Sequence, residues 1–80
     1  MSLEPKHQVF RVEYDAATPC WVVKQQGRTR PLTQSHSKMV AIDLALKLAR
    51  SAQTAQLFIH RRDGSIETEH TFGEDMHGVA

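Results

Sequence analysis

Alternating apolar and polar residues along four segments of the chain predict four β-strands. In the first segment Phe10, Val12 and Tyr14 share one side, as expected for a strand with one buried face. Turn-forming residues around Pro19 join the first segment to the second and predict a hairpin. The predicted strands are His7–Tyr14, Cys20–Gln25, Ala55–Arg62 and Ser65–Phe72.

Between the two strand pairs the spacing of apolar residues becomes that of a helix. Ser37 is the predicted N-cap, and the helix is expected to end near Ala52. Met39 and Leu46 fall on the polar side at about 100° per residue, so they are either scattered exposed residues or contacts with another subunit. The side predicted to face the sheet carries Ala41, Ile42, Ala45, Leu48 and Ala49.

The order strand, strand, helix, strand, strand predicts an α+β domain of ββαββ type. We expect a four-stranded antiparallel sheet in the spatial order two, one, three, four, with one helix packed across one face. Gln26–His36 has no apolar period and is expected to be a loop. Besides the helix residues, the predicted core contains Trp21, Val23, Leu57, Ile59 and Ile66.

Asp63 and Gly64 predict a tight turn between the last two strands, because such turns need residues that tolerate positive φ. With a two-residue loop, Arg62 would lie opposite Ser65. His60 would then lie opposite Glu67, and Ile59 and Ile66 would share one face. This register predicts a cross-strand pair of His60 and Glu67 on the face away from the helix.

The length of 80 residues indicates a single domain over residues 1–80 with a thin core. We expect residues 7–73 to be ordered and residues 1–6 and 74–80 to be flexible. Cys20 is the only cysteine, which excludes a disulfide within the chain and favours a reducing compartment. The chain has no apolar stretch of membrane-spanning length and no signal-peptide pattern, so a cytoplasmic location is expected.

The net charge is only +1, but the charges are unevenly distributed. Lys24–Lys38 contains basic residues and no acid, whereas Asp63–Asp75 contains acids and no Lys or Arg. The basic stretch, together with Arg11 and Phe58 on the open sheet face, supports a nucleic-acid-binding hypothesis. The binding surface predicted on this face and its neighbouring loop consists of Lys24, Arg30, His60, Arg62 and Glu67.

No catalytic motif is recognisable, and the five histidines lack the spacing of a zinc site. We therefore expect no cofactor, no metal and no membrane association. The first hypothesis is a non-catalytic interaction module that acts as a homodimer or with a protein partner, with Met39 and Leu46 at the interface. Nucleic-acid binding is the second hypothesis, and a small enzyme or ligand site around His60 is the third.

Two blocks of sequence resemble a bacterial family, the domain of unknown function numbered 2188. The first begins with Trp21-Val22-Val23-Lys24 and continues through Gly27, Ser37 and the helix. The second is Ile59-His60-Arg61-Arg62-Asp63-Gly64-Ser65-Ile66 and is followed by Phe72-Gly73. The resemblance spans about residues 9–75 and implies a short cytosolic bacterial protein. It implies no activity, because the family is uncharacterised.

Overall fold

A computed structural model describes residues 7–52 and 54–73, which form one β-sheet with a helix across one face. The end segments 1–6 and 74–80, predicted to be flexible, lie outside the described residues. The elements in chain order are β1 His7–Asp15, β2 Cys20–Gln25, β3 Thr33–Ser35, α1 Lys38–Arg50, β4 Thr54–His60 and β5 Ile66–Gly73.

The sheet is mixed and five-stranded, in the order β3-β2-β1-β4-β5. The pair β1–β4 is parallel and the other three pairs are antiparallel. The prediction of one helix over a sheet is confirmed, and so is the order of the four predicted strands. The predicted number of strands and the all-antiparallel arrangement are wrong.

The unpredicted strand β3 explains both errors. It pairs antiparallel with β2 through Val23–Thr33 and Trp21–Ser35, so it turns the chain around once more before the helix. The crossover through α1 therefore begins from β3 and not from β2, and β4 enters the sheet parallel to β1. Thr33-Gln34-Ser35 is short and polar, which is common at sheet edges, and it has no apolar alternation that would predict a strand.

The helix α1 begins after Ser37, whose hydroxyl accepts a hydrogen bond from the Val40 N–H at 3.3 Å. This confirms the predicted N-cap. Ala41, Ala45 and Ala49 are fully buried, and their small side chains let the helix approach the sheet closely. Within the described part of the chain, no helix is long and apolar enough to cross a membrane.

The core lies between α1 and the sheet and contains most of the residues predicted for it. The buried set is Phe10, Val12, Trp21, Val23, Ala41, Ala45, Ala49, Ala55, Leu57 and Ile59, with Ile42 and Leu46 partly buried against it. The prediction that Leu46 lies on the polar side, free to contact a partner, is therefore wrong. With alanines along the centre of the contact, the helix lies close enough for longer side chains on its flank to reach the sheet.

Leu48 was predicted to be buried but is 36% exposed. Leu48 lines a groove together with Leu32, Thr33, Leu44 and Lys47. The neighbouring strand β3 has only three residues, so it covers little of this flank of the helix. Met39, on another side of the helix, is 80% exposed, as the sequence predicted.

The turn between β4 and β5 has three loop residues, not two. The Arg61 N–H donates to the Ser65 carbonyl at 2.8 Å, and the Gly64 N–H donates to the Arg61 carbonyl at 2.9 Å. Gly64 has φ +95°, the left-handed conformation that glycine adopts without strain. This arrangement is the common hairpin in which a type I turn is followed by a left-handed residue. The predicted opposition of Arg62 and Ser65 is wrong by one residue.

The longer loop shifts the register only beside the turn, and a bulge restores the register expected for the rest of the strand pair. Ile59 pairs with Thr68 and His60 pairs with Ile66, so Glu67 is the extra residue of a bulge. The predicted opposition of His60 and Glu67 is therefore wrong. Because a shift of one residue moves a side chain to the other face, Ile66 leaves the face of Ile59 and is 51% exposed, not buried as predicted.

Leu57→Ala and Leu48→Ala form a matched pair that tests this core. Leu57 is fully buried, so its truncation is expected to lower the free energy of unfolding by about 2–5 kcal/mol. Leu48→Ala, at an exposed helix position, is expected to change it by less than about 1 kcal/mol. Urea denaturation followed by circular dichroism measures both variants. Equal losses would contradict this placement of the two leucines.

Candidate functional site

The face of the sheet opposite α1 carries four side chains in one line across four strands. Arg11 on β1 is the register partner of both Lys24 on β2 and Phe58 on β4, and Phe58 is the register partner of Glu69 on β5. These four residues are named the cross-strand row. The row crosses the centre of the open face.

Arg11 is held from two sides but has no charged partner among the described residues. Its guanidinium carbon lies 4.9 Å from the centroid of the Phe58 ring, within the range of a cation–π contact. Its Nη1 atom lies 3.3 Å from Nε2 of His60. In residues 7–52 and 54–73 no carboxylate lies within 4 Å of the guanidinium. The positive charge of Arg11 is therefore oriented and not neutralised by an ion pair.

His60 is mostly buried, at 8% exposure, and both ring nitrogens have partners. Arginine can only donate, so Nε2 of His60 accepts the hydrogen bond from Arg11. The Nδ1–H then donates to the Gly64 carbonyl at 2.9 Å. These two contacts assign the neutral Nδ1–H tautomer. His60 thus links Arg11 on the open face to the hairpin loop.

Glu13, and not Glu67, is the acid beside His60. Its Oε2 atom lies 3.9 Å from Nε2 of His60, and its Oε1 atom lies 3.1 Å from Nζ of Lys24. The charge of Lys24 is therefore already compensated on this face. The predicted residues His60 and Lys24 belong to one cluster, joined by Glu13.

Glu69, at the other end of the row, resembles Arg11 in lacking an opposite charge. Its Oε2 atom accepts a hydrogen bond from the Gln56 side chain at 2.9 Å. No cationic group of the described residues lies within 4 Å of its carboxylate. Phe58 is thus flanked by one unpaired positive charge and one unpaired negative charge.

Glu67 and Arg62 lie away from that cluster, on the helix side of the sheet. The Lys38 ammonium donates to Glu67 and lies 4.8 Å from the centroid of the Trp21 ring. Arg62 lies 4.5 Å from the centroid of the Tyr14 ring. The hydrogen bond from Lys38 holds the pKa of the Glu67 carboxyl below its ordinary value. The five residues of the predicted binding surface therefore do not form one site.

The cations of the basic stretch Lys24–Lys38 also point in different directions. Lys24 is on the open face, whereas Lys38 is on the helix side above Trp21. Arg28 donates through Nε to the Gln25 side chain at 3.1 Å, and Arg30 is exposed in the loop. Such an arrangement does not provide one continuous basic surface.

Metal-binding side chains are not grouped in the described residues. No three His, Cys, Asp or Glu side chains there lie close enough together to hold an ion. Cys20 is a buried free thiol on the open face of β2.

This combination of elements defines a small α+β domain in which one helix packs across one face of a mixed sheet. The chain belongs to the family described as "Uncharacterized protein conserved in bacteria (DUF2188)", which matches residues 7–72. The resemblance noted in the sequence is thereby confirmed. No curated protein and no solved structure matches the chain. The family description assigns no activity.

His60→Ala tests the link between the hairpin loop and the open face. The substitution leaves the Gly64 carbonyl and one N–H of Arg11 without their partner, so we expect a loss of about 1–3 kcal/mol in the free energy of unfolding. His36→Ala, at an exposed loop position, is the control and is expected to have no measurable effect. Chemical denaturation monitored by Trp21 fluorescence measures both. An unchanged stability of His60→Ala would contradict the two hydrogen bonds.

Glu67→Gln is expected to change the pH dependence of stability. The pKa of Glu67 in the folded chain is below its ordinary value of 4.5, because Lys38 stabilises the carboxylate. Its contribution is therefore present above pH 4.5 and is lost as the pH falls through the folded-state pKa. We expect Glu67→Gln to be less stable than the parent at neutral pH and to approach it in acid.

Lys38→Met is the partner variant for this measurement, and thermal unfolding from neutral to acidic pH is the readout. Lys38→Met should produce the same change in pH dependence, and the double variant should lose no more stability than Lys38→Met alone, which also removes the contact with Trp21. Additive effects would show that the two side chains act separately.

Proposed function

We propose that this domain is a non-catalytic interaction module that acts as a homodimer. The observation that supports it is the open sheet face, where Phe58 lies between Arg11 and Glu69 and neither charge has a counterion in the described residues. Aromatic residues and arginine are enriched at protein–protein interfaces, where charged groups are arranged to meet opposite charges. The arrangement suggests binding, since none of the described groups on this face is placed as a nucleophile with its base.

The thin core gives a second reason for a partner. One helix covers one face of a single sheet, so an 80-residue chain has a limited apolar interior. The open face still carries apolar side chains, among them the half-buried Val9 and Phe58. A second copy that covered this face would remove them from water and would add a second layer to the sheet.

A protein partner of another kind has a separate candidate surface on the flank of α1. Val40, Leu44 and Leu48 recur every four residues there, and Val40 and Leu48 are exposed. Leu44 and Leu48 border the groove next to β3 together with Leu32. Lys47 also lines this groove, and its ammonium lies 3.5 Å from the Asp43 carboxylate. The flank therefore lacks the two uncompensated opposite charges that favour self-association on the sheet face. The homodimer on the sheet face is therefore the first proposal.

Nucleic-acid binding has weaker support. Lys24 is paired with Glu13 and Lys38 with Glu67, on opposite faces of the sheet. Of the basic stretch Lys24–Lys38, Arg28 and Arg30 remain without an ion pair among the described residues, whereas useful affinity for a nucleic acid takes on the order of 6–10 phosphate contacts.

Sedimentation equilibrium over a wide range of concentrations tests the proposal. We expect the mass of two chains at the higher concentrations, falling towards one chain on dilution. The mass of a single chain at every concentration would contradict a homodimer. Fluorescence anisotropy with labelled single-stranded DNA and RNA is the second measurement. Binding that persists at physiological salt and weakens in an Arg28→Ala/Arg30→Ala variant would favour a nucleic-acid module instead.

A further inference from the structure

We propose that two copies pack with their open faces together, and that Arg11 of each copy pairs with the partner's Glu69. The two-fold axis runs parallel to β4 and passes between the two Phe58 rings. This inference rests on the proposed homodimer and specifies its surface and its symmetry.

The register of the sheet supplies the geometry. Arg11 and Glu69 are both register partners of Phe58, one on each side of β4. Adjacent strands are about 4.8 Å apart, so the backbone positions of Arg11 and Glu69 lie at similar distances on either side of Phe58. A rotation of 180° about an axis along β4 exchanges these two sides. It places each Arg11 over the partner's Glu69 and the Phe58 rings over one another.

The pairing compensates the two charges of the row that have no counterion in the described residues. Lys24 and Glu13 already neutralise each other within one copy, so covering them leaves no unpaired charge. Arg11 is held by the Phe58 ring and by His60, and little side-chain freedom is lost when its remaining N–H groups bind a carboxylate. The dimer would contain two equivalent ion pairs.

Other ways of joining the same surfaces are less favourable. An axis perpendicular to the strands would place Arg11 over the partner's Arg11, and like charges at an interface are repulsive. An antiparallel edge-to-edge pair of β5 strands centred on Glu69 would bring the two Glu69 carboxylates together. In the face-to-face arrangement the sheets pack about 10 Å apart with their strands within about 30° of each other, as in a β-sandwich.

Charge reversal provides a decisive test, because recovery of dimers on mixing two variants cannot come from loss of structure. Arg11→Glu alone and Glu69→Arg alone create like-charged pairs, so each is expected to raise the dimer dissociation constant at least about 30-fold. An equimolar mixture of the two variants is expected to recover dimers. In a mixed dimer the Arg11→Glu copy has glutamate at positions 11 and 69, and the Glu69→Arg copy has arginine at both. The two pairs across the interface are therefore again opposite in charge.

The double variant Arg11→Glu/Glu69→Arg is expected to form homodimers again. Arg50→Glu, on an exposed position of α1, is the control and should remain dimeric. Sedimentation equilibrium gives the mass, and circular dichroism confirms that each variant is folded. If Arg11→Glu does not fold, Glu69→Arg and Glu69→Gln are compared instead. Glu69 has one side-chain hydrogen bond in the described part of the chain, and the reversal should weaken the dimer more than the neutral change does.

Three outcomes would overturn the inference in different ways. If the parent is monomeric, the homodimer itself is wrong. If the parent is dimeric and the single charge reversals leave it so, while Val40→Gln/Leu48→Gln gives monomers, the dimer forms through the flank of α1. If both reversals give folded monomers that do not recombine when mixed, the open face is at the interface but Arg11 does not pair with Glu69.

Discussion

The parallel pairing of β1 with β4 at the centre of the sheet is the constraint on which the rest of the structure depends. It brings Phe10 and Val12 beside Leu57 and Ile59 on the face that α1 covers, and so assembles the core. The same pairing brings Arg11 beside Phe58 on the opposite face. One backbone register therefore determines both the hydrophobic interior and the chemistry of the open surface.

Much of the fold could be predicted from the sequence because its strong signals are periodic. Phe10, Val12 and Tyr14 alternate as in a half-buried strand, and the alanines of α1 recur at helical spacing. The strand β3 carries neither signal, since its Thr, Gln and Ser residues are held by backbone hydrogen bonds to β2 and not by burial. This short polar strand sets the direction of everything that follows it.

The candidate site was harder to predict because it depends on single-residue registers. Alternation along the strands predicts that Arg11 and Phe58 lie on the same side of the sheet. Their contact depends in addition on the parallel direction of β4, which follows from the presence of β3. His60 was recognised, whereas its partners were not. A loop of three residues in place of two moved Glu67 to the other face, and the pairing of β1 with β4 placed Glu13 beside His60 instead. Aspartate and glycine predict a turn here but do not determine its length.

The bulge at Glu67 also bears on how far an assembly of this domain can grow. A long edge strand such as β5 offers free backbone groups that could recruit further strands without limit. The bulge interrupts the regular ladder near one end of β5, and two glutamates along the strand discourage a second copy from adding there. Association through a face ends when that face is covered, whereas association through an edge creates a new edge each time. The chain thus combines an open surface with protection against fibrous polymerisation.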